Sequence, residues 1–186
     1  MKPHVMLDLE TMGVASNSVV ISIGAVQFIP ETGELGARFY TALDFEDACR
    51  YGVLSPSTIK WWMSQSNEAR GFAMAGTDEV EPVLTDLAEW FGALPNALVW
   101  GNGADFDNVI LMNFYESAGM VQPWGKYNNR CYRTLKSISA KTDPGFDIGA
   151  DPKPIREGTH HNALDDAIFQ ARMAMWMCRM YGLSLS

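Results

Sequence analysis

Pairs of acidic residues stand at three separated places in the sequence. The first pair, Asp8 and Glu10, lies in HVMLDLETMG (4–13), a run that otherwise has the apolar character of a buried strand. Because side chains alternate along a strand, both acids point to the same face. Two neighbouring carboxylates in a buried strand repel each other and are costly unless something compensates their charge. The pair therefore predicts a bound cation.

Two further acidic pairs occur where a helix begins. Asp105 and Asp107 lie in GNGADFDN, and Asp165 and Asp166 lie in HHNALDDA. Each pair alone has a structural interpretation, because aspartate is a common helix N-cap and suits the positive end of the helix dipole. Functional sites in α/β sheets form at strand ends and at the loops and helix starts beside them. The three pairs together therefore predict one acidic cleft.

Such a cleft favours hard cations that bind oxygen. Mg²⁺ takes carboxylates and water and leaves positions open to phosphate. Two such ions about 3.5–4 Å apart can clamp a phosphodiester between an attacking water and a leaving oxygen. The reaction also needs a base, and His160 and His161 stand just before the last acidic pair. An imidazole with an ordinary pKa near 6.5 suits proton removal near neutrality.

Composition narrows the class of protein. The chain has 186 residues, of which 47% are hydrophobic, and this is enough for the core of one domain of ordinary size. A formal net charge of -8 argues against binding of duplex DNA through a broad basic surface. The three cysteines, Cys49, Cys131 and Cys178, match no zinc motif and predict reduced thiols. With no apolar leader or membrane-length run, we expect a cytoplasmic protein.

The order of predicted elements gives the fold class. Strands are predicted at 4–10, 18–29, 36–43 and 97–102, with a fifth short strand at the start of 127–138. Helices are predicted at 55–66, 77–94, 106–119, the remainder of 127–138 and 161–182, and residues 143–161 form a long loop. We therefore expect a single α/β domain over residues 1–186, with a mixed five-stranded sheet flanked by helices. Its first three strands are antiparallel and the later ones parallel.

Three motifs carry a resemblance to a known family. LDLETMG matches an Asp-x-Glu motif, NGADFDN resembles a second motif with an aromatic-Asp pair, and HNALDDA resembles a third with His, four residues and Asp. In this order they resemble the DEDDh 3′→5′ exonuclease superfamily, which has an RNase H-like fold. The sequence looks closest to its small phage and bacterial members, akin to a mycobacterial exoribonuclease. Oligoribonuclease and the proofreading exonuclease subunit are further relatives.

The resemblance implies a role for each motif residue. Asp8, Glu10, Asp107 and Asp166 would hold two divalent ions, Mg²⁺ or Mn²⁺, and His161 would be the general base. His160 is the alternative if the register differs by one, and Asp105 and Asp165 are neighbours of the site. The resemblance implies removal of nucleoside 5′-monophosphates from the 3′ end of single-stranded RNA or DNA. An oligonucleotide-specific phosphodiesterase of the same fold and a catalytically idle nucleic-acid-binding domain are the alternatives.

Substrate contacts are expected beside the acids. The predicted set is Thr11, Met12, Gly13, Trp62, Asn102 and Phe106. Aromatic stacking holds single strands without regard to sequence, and Trp61 or Trp62 could supply it, although adjacent helix residues cannot face the same way. Lys126, Arg130, Arg133 and Lys136 are either phosphate contacts or a solvated face. The many methionines of 162–181 suggest a second buried face and hence a homodimer.

Overall fold

A five-stranded mixed sheet forms the centre of the structure, a computed structural model that describes residues 2–139 and 152–185. The strands are β1 (His4–Thr11), β2 (Val20–Ile29), β3 (Glu34–Ala42), β4 (Leu98–Gly101) and β5 (Asn129–Cys131). Their spatial order is β3-β2-β1-β4-β5. The strands β1, β2 and β3 pair antiparallel, whereas β4 and β5 run parallel to β1. The predicted mixed sheet is therefore confirmed.

Helices cover both faces of this sheet. They are α1 (Phe45–Ala48), α2 (Pro56–Met63), α3 (Asn67–Met74), α4 (Val80–Gly92), α5 (Val109–Ser117), α6 (Tyr132–Ser139) and α7 (Ala163–Tyr181). A π-helical turn, Ala104–Asn108, precedes α5, and a 3₁₀ turn, Lys126–Asn128, precedes β5. The sequence did not predict α1 or α3, because both are short and α3 is rich in polar residues. Residues 143–151 of the predicted loop lie outside the described residues, and its remainder, 152–161, contains no helix or strand.

Strand β1 is buried along its whole length because both faces of the sheet are covered. Its residues Val5, Leu7 and Leu9 pack into a core with α4 and α5. On the opposite face, Met6 packs into a second core formed with α6 and α7. Asp8 and Glu10 share the face of Met6, because they lie two and four residues further along the strand. The strand therefore directs both acids towards α7.

A glycine in β2 lets α7 begin directly on the sheet. Gly24 pairs with Asp8 in the β1–β2 register. A Cβ atom at Gly24 would lie 2.2 Å from the carbonyl carbon of Ala163, the first residue of α7. Because that distance is far below van der Waals contact, this close approach requires glycine. It brings the first turn of α7 beside the acids of β1.

The apolar pattern of α7 is accounted for within one chain. Met173, Met175 and Met177 are buried in the second core, and Trp176 packs against it. Met180 is buried as well. The homodimer inferred from this pattern therefore has no support from the packing and stays a prediction. Among the described residues, no helix is long and apolar enough to cross a membrane.

Candidate active site

The three acidic motifs converge on one cleft of about 520 Å³ at the end of β1. Its lining includes four carboxylates, two imidazoles and three basic side chains: Asp8, Glu10, Asp107, Asp166, His160, His161, Arg133, Lys136 and Arg156. The strand β1 supplies two of the acids, the π-helical turn after β4 supplies one, and α7 supplies the fourth. The predicted acidic cleft is thus present in the structure.

Asp8, Glu10 and Asp166 form a compact cluster. One carboxylate oxygen from each residue lies within 4.8 Å of the other two, and all three residues are buried. Asp8 Oδ1 also accepts a hydrogen bond of 2.6 Å from Gln170 Nε2. Several carboxylate oxygens at this spacing are the ligands that Mg²⁺ and Mn²⁺ prefer. The donor set therefore fits a divalent cation.

Burial and neighbouring charges raise the pKa of both acids of β1. Burial, followed by the charges of Asp107, Glu10 and Asp166, raises the pKa of Asp8 well above its usual range. Burial and then the charges of Asp166 and Asp107 raise the pKa of Glu10 to about 8. A nearby positive charge would favour the ionised form of both carboxylates. The electrostatics of the site therefore favour a cation there.

Two backbone amides, one in β1 and one just after β4, hold the carboxylate of Asp107. Its Oδ1 accepts a hydrogen bond of 3.3 Å from the Leu9 amide, and its Oδ2 accepts one of 2.7 Å from the Asn102 amide. Burial raises its pKa to about 7 against the opposing effect of these hydrogen bonds. These two bonds occupy only part of the acceptor capacity of the carboxylate. Asp107 can therefore bind a cation without giving up the two bonds that orient it.

Asp166 lies in the first turn of α7, which is capped by Asn162. The Asn162 Oδ1 atom accepts hydrogen bonds from the amides of Leu164 (3.1 Å) and Asp165 (3.2 Å). The carboxylate of Asp166 pairs with Arg156 at the cleft. The adjacent Asp165 has a different partner, because its Oδ2 accepts a bond of 2.8 Å from the Thr159 amide. Asp165 therefore anchors the preceding loop.

His161 lies at the mouth of the cleft in a left-handed backbone conformation, with φ of 67°. Its ring meets Trp61 edge-on at 4.9 Å and His160 at 3.9 Å between centroids. Burial and then the charge of His160 lower its pKa from the ordinary value. The imidazole of His161 is therefore neutral near pH 7 and can accept a proton. His160 is exposed, but both imidazoles and Asp166 have ligand atoms within 4.8 Å of one another.

A second cavity of about 380 Å³ adjoins the acids on the side of α2. Thr11, Gly13 and Trp61 line it, and Phe106 lines both cavities. Trp61 is 43% exposed, whereas Trp62 is only 3% exposed and donates a hydrogen bond of 2.9 Å to the Thr11 carbonyl. Trp61 therefore lies at the surface of this cavity, whereas Trp62 is buried and its hydrogen bond stabilises the end of β1.

Met12 is not brought to the acidic cleft. It is 1% exposed and belongs to the first core. The β-bulge between Glu10 and Thr11 changes the alternation of side chains at the end of β1. Met12 lines neither of these two cavities, so the expected contact between Met12 and a nucleotide stays a prediction.

Asn102 links the acidic motif to the basic residues of α6. Its carbonyl accepts a hydrogen bond of 2.7 Å from Arg133 Nη2, and its Oδ1 accepts one of 3.2 Å from Lys136 Nζ. Both basic residues line the cleft. Arg130 instead donates to the carbonyls of Tyr127 and Asn129, and Lys126 lies over the Tyr127 ring. Arg133 and Lys136 are therefore the basic pair suited to phosphate contact.

Gln170 and Arg156 are two polar residues of the cleft that sequence reasoning missed. Gln170 follows Asp166 by four residues and therefore lies on the same face of α7. That spacing could have identified it. Arg156 lies in a loop without periodicity, so its position depends on the tertiary fold and no sequence signal indicates it.

The raised pKa values predict how stability depends on pH and metal. Asp8, Glu10 and Asp107 bind protons more tightly in the metal-free folded state than in the unfolded chain. Their contribution to the free energy of unfolding is therefore complete below about pH 4 and is lost as the pH rises, through about 7 for Asp107 and about 8 for Glu10. A divalent cation needs the ionised carboxylates and gains affinity over the same range. Mn²⁺ should therefore raise the Tm more at pH 8.5 than at pH 6.

Differential scanning fluorimetry in EDTA and in Mn²⁺ at the two pH values checks this expectation. Glu10→Gln is the matched variant, because it keeps the shape of the side chain and removes one of the titrating groups. Its Tm in EDTA should depend less on pH than that of the wild type. An equal or greater gain from Mn²⁺ at pH 6 would contradict the assignment of these acids to a cation site.

Comparison with known proteins places this site in a family. The model of the 3′-5′ exoribonuclease Rv2179c-like domain matches residues 3–178. An exodeoxyribonuclease of Enterobacteria phage T4 is 31% identical in an alignment of 123 residues, and the match covers 58% of this chain and 53% of the phage protein. The chain thus spans about half the length of that curated relative.

Solved structures share the fold. Exonuclease I of E. coli, crystallised with a dT13 oligonucleotide, matches 96% of this chain and 41% of its own, with a TM-score of 0.66 and 14% identity. The nuclease domain of 3′hExo, a DEDDh family member bound to rAMP, matches 96% of this chain and 92% of its own, with a TM-score of 0.64 and 18% identity. These likenesses confirm the RNase H-like fold, and the match over residues 3–178 gives the conclusion that the chain belongs to the Rv2179c-like 3′-5′ exoribonuclease domain family.

Proposed function

We propose that this chain is a single-domain, metal-dependent 3′→5′ exonuclease that acts on single-stranded nucleic acid. In this proposal, Asp8, Glu10, Asp107 and Asp166 hold two divalent cations, Mg²⁺ or Mn²⁺. The products are nucleoside 5′-monophosphates. The observation that carries the proposal is the meeting of four carboxylates and His161 in one cleft of a chain from this family.

The four acids repel one another, and this supports the metal assignment. Without a cation the fold would hold Asp8 and Glu10 at a cost, since burial and mutual charge raise the pKa of both. Bound divalent ions would polarise the scissile phosphodiester, activate water and stabilise the leaving oxygen. A bound cation would offset the repulsion that raises the pKa of these acids.

The remaining residues of the cleft have separate tasks in the proposed reaction. His161 takes the proton of the attacking water, for which its lowered pKa keeps it neutral at pH 7. Gln170 donates to Asp8 and fixes the orientation of that carboxylate.

Arg133 and Lys136 contact phosphates of the bound strand. Thr11, Gly13 and Phe106 contact the terminal nucleotide in the smaller cavity beside the acids.

Trp61 is the proposed stacking surface for the terminal base. Trp61→Ala should raise the KM for a single-stranded oligonucleotide about tenfold, because loss of one base–aromatic contact weakens binding to that extent. Steady-state kinetics on a 5′-labelled strand measure the change, and Trp61→Phe should keep most of the affinity. Met63→Ala is the control, because Met63 lies on the same helix, is exposed and does not line this cavity. An equal rise in KM for the Met63 variant would contradict the contact.

A direct nuclease assay tests the proposed function. The protein is incubated with 5′-labelled single strands of RNA and DNA, with Mg²⁺, Mn²⁺ or EDTA. A ladder that shortens from the 3′ end and disappears in EDTA is the expected result. Cleavage of only the shortest strands would indicate an oligonucleotide phosphodiesterase, and no cleavage with any metal would indicate an idle binding domain. The RNA and DNA arms are both needed, since the family name specifies RNA whereas the phage relative's name specifies DNA.

A further inference from the structure

Arg156 stands inside the acidic cleft. Its guanidinium forms an ion pair with Asp166, one of the three carboxylates of the compact cluster. The side chain of Asp166 is 11% exposed and that of Arg156 is 30% exposed. An ion pair so little exposed to water is screened less than a surface pair. Arg156 therefore places one positive charge directly against a carboxylate of the cluster.

The position of the guanidinium is set by a second contact. The Arg156 Cζ atom lies 4.4 Å from the centroid of the Phe169 ring, at a distance typical of a cation–π interaction. Phe169 belongs to α7, the helix that also carries Asp166. Arg156 is thus held by two residues of one rigid helix, and its charge stays at the cleft.

We propose that Arg156 is an internal counter-ion of Asp166 that competes with the divalent cation, so that the protein binds metal more weakly than its carboxylates alone would. This inference rests on the proposed function, because it concerns the same metal site. A cation that coordinates Asp166 must share this carboxylate with a guanidinium or displace it. Two positive charges close together in a partly buried cleft repel each other. Arg156 thereby sets the metal concentration at which the site fills.

The chain offers a matched control for this proposal. Arg172 of α7 pairs with Glu157 at 2.5 Å, so this ion pair also joins α7 to the loop that contains Arg156. Neither residue lines the cleft. Arg172→Gln therefore removes a second, more exposed loop-to-helix ion pair without changing the charge beside the carboxylate cluster.

Calorimetric titration of Mn²⁺ into the metal-free full chain tests the competition. Arg156→Gln should lower the Kd for Mn²⁺ about three- to tenfold, whereas Arg172→Gln should leave it unchanged. The Tm of Arg156→Gln in EDTA should fall at the same time, because Asp166 loses its counter-ion. A variant that is less stable without metal yet binds metal more tightly is not expected from loss of structure alone. Mn²⁺ binding by Arg156→Gln that equals or is weaker than wild-type binding overturns the proposal.

Arg156→Lys keeps the test decisive if the glutamine variant does not fold. Lysine retains the charge but cannot reproduce the planar fork of the guanidinium, so its Kd should lie between those of the wild type and Arg156→Gln. A Kd above the wild-type value would overturn the inference. Failure of the proposed function gives a different result, since the wild type itself would then bind no Mn²⁺ and show no metal-dependent cleavage.

Discussion

Asp8→Asn is expected to lower nuclease activity by more than about 10²-fold while leaving the metal-free protein at least as stable as the wild type. Substitution of residues that only support metal ligands costs about 10- to 100-fold, and loss of a proposed ligand should cost more. The carboxylate of Asp8 is buried beside three other acids, so its replacement by a neutral amide removes repulsion. Asn Oδ1 can still accept the hydrogen bond from Gln170.

Two measurements separate the catalytic effect from the effect on folding. The rate is measured on a 5′-labelled single strand in Mg²⁺ and in Mn²⁺, and the Tm is measured with and without metal. In EDTA the Tm of Asp8→Asn should lie between the wild-type value and about 2–4 °C above it. A rise of that size corresponds to about 1 kcal/mol in a chain of this size. The rise in Tm on addition of Mn²⁺ should be largely lost.

Asp105→Asn is the matched control, because Asp105 is an exposed acid only two residues from Asp107. It should retain near-normal activity and the full response to metal. Asp8→Asn with normal turnover would show that Asp8 takes no part in the chemistry. Loss of activity together with a Tm well below that of the wild type would mean that Asp8 supports the fold instead.

The sequence can indicate the acids of β1 because the cost of burying two carboxylates depends only on the strand that carries them. A carboxylate pair in the apolar strand β1 is costly wherever that strand lies, so Asp8 and Glu10 indicate a site before the fold is known. The same is true of the mixed sheet, since three closely spaced strands followed by strands that alternate with helices favour one topology. Asp107 and Asp166 follow from the resemblance, and the structure brings both to the same cleft.

Other features of the site depend on tertiary packing that no local pattern indicates. The sequence cannot tell which of two adjacent tryptophans faces the core, and the answer comes from the hydrogen bond between Trp62 Nε1 and the Thr11 carbonyl. Met12 stands two residues after Glu10 in the sequence, but its side chain is buried in the core. Arg156 reaches Asp166 from a loop, ten residues before it, so their pairing is set by the path of that loop.

His161→Asn is expected to lower kcat by about 10²- to 10⁴-fold with little change in Mn²⁺ affinity. This magnitude is typical of the loss of a general base. Asparagine is preferred to alanine here because His161 has a φ of 67°, and asparagine tolerates that left-handed conformation. The variant therefore removes the basic imidazole without adding backbone strain.

The pH profile supplies a readout that a structural role would not produce. Burial and the neighbouring His160 lower the pKa of His161, so the base form is lost only as the pH falls below the ordinary value of about 6.5. The wild-type rate should accordingly fall with acid in that range. With Mn²⁺ kept at a concentration that saturates the site at every pH, the residual rate of His161→Asn should lack this limb, because no imidazole at that position titrates.

His160→Asn is the control that decides between the two adjacent histidines. His160 is exposed, whereas the ring of His161 lies against both Trp61 and Trp62. We therefore expect His160→Asn to change kcat less than threefold, about 0.6 kcal/mol in activation free energy. If instead His160→Asn loses the acid limb and His161→Asn keeps it, the base is His160. The aromatic contacts of His161 would then serve to position its neighbour, because the two imidazole centroids lie 3.9 Å apart.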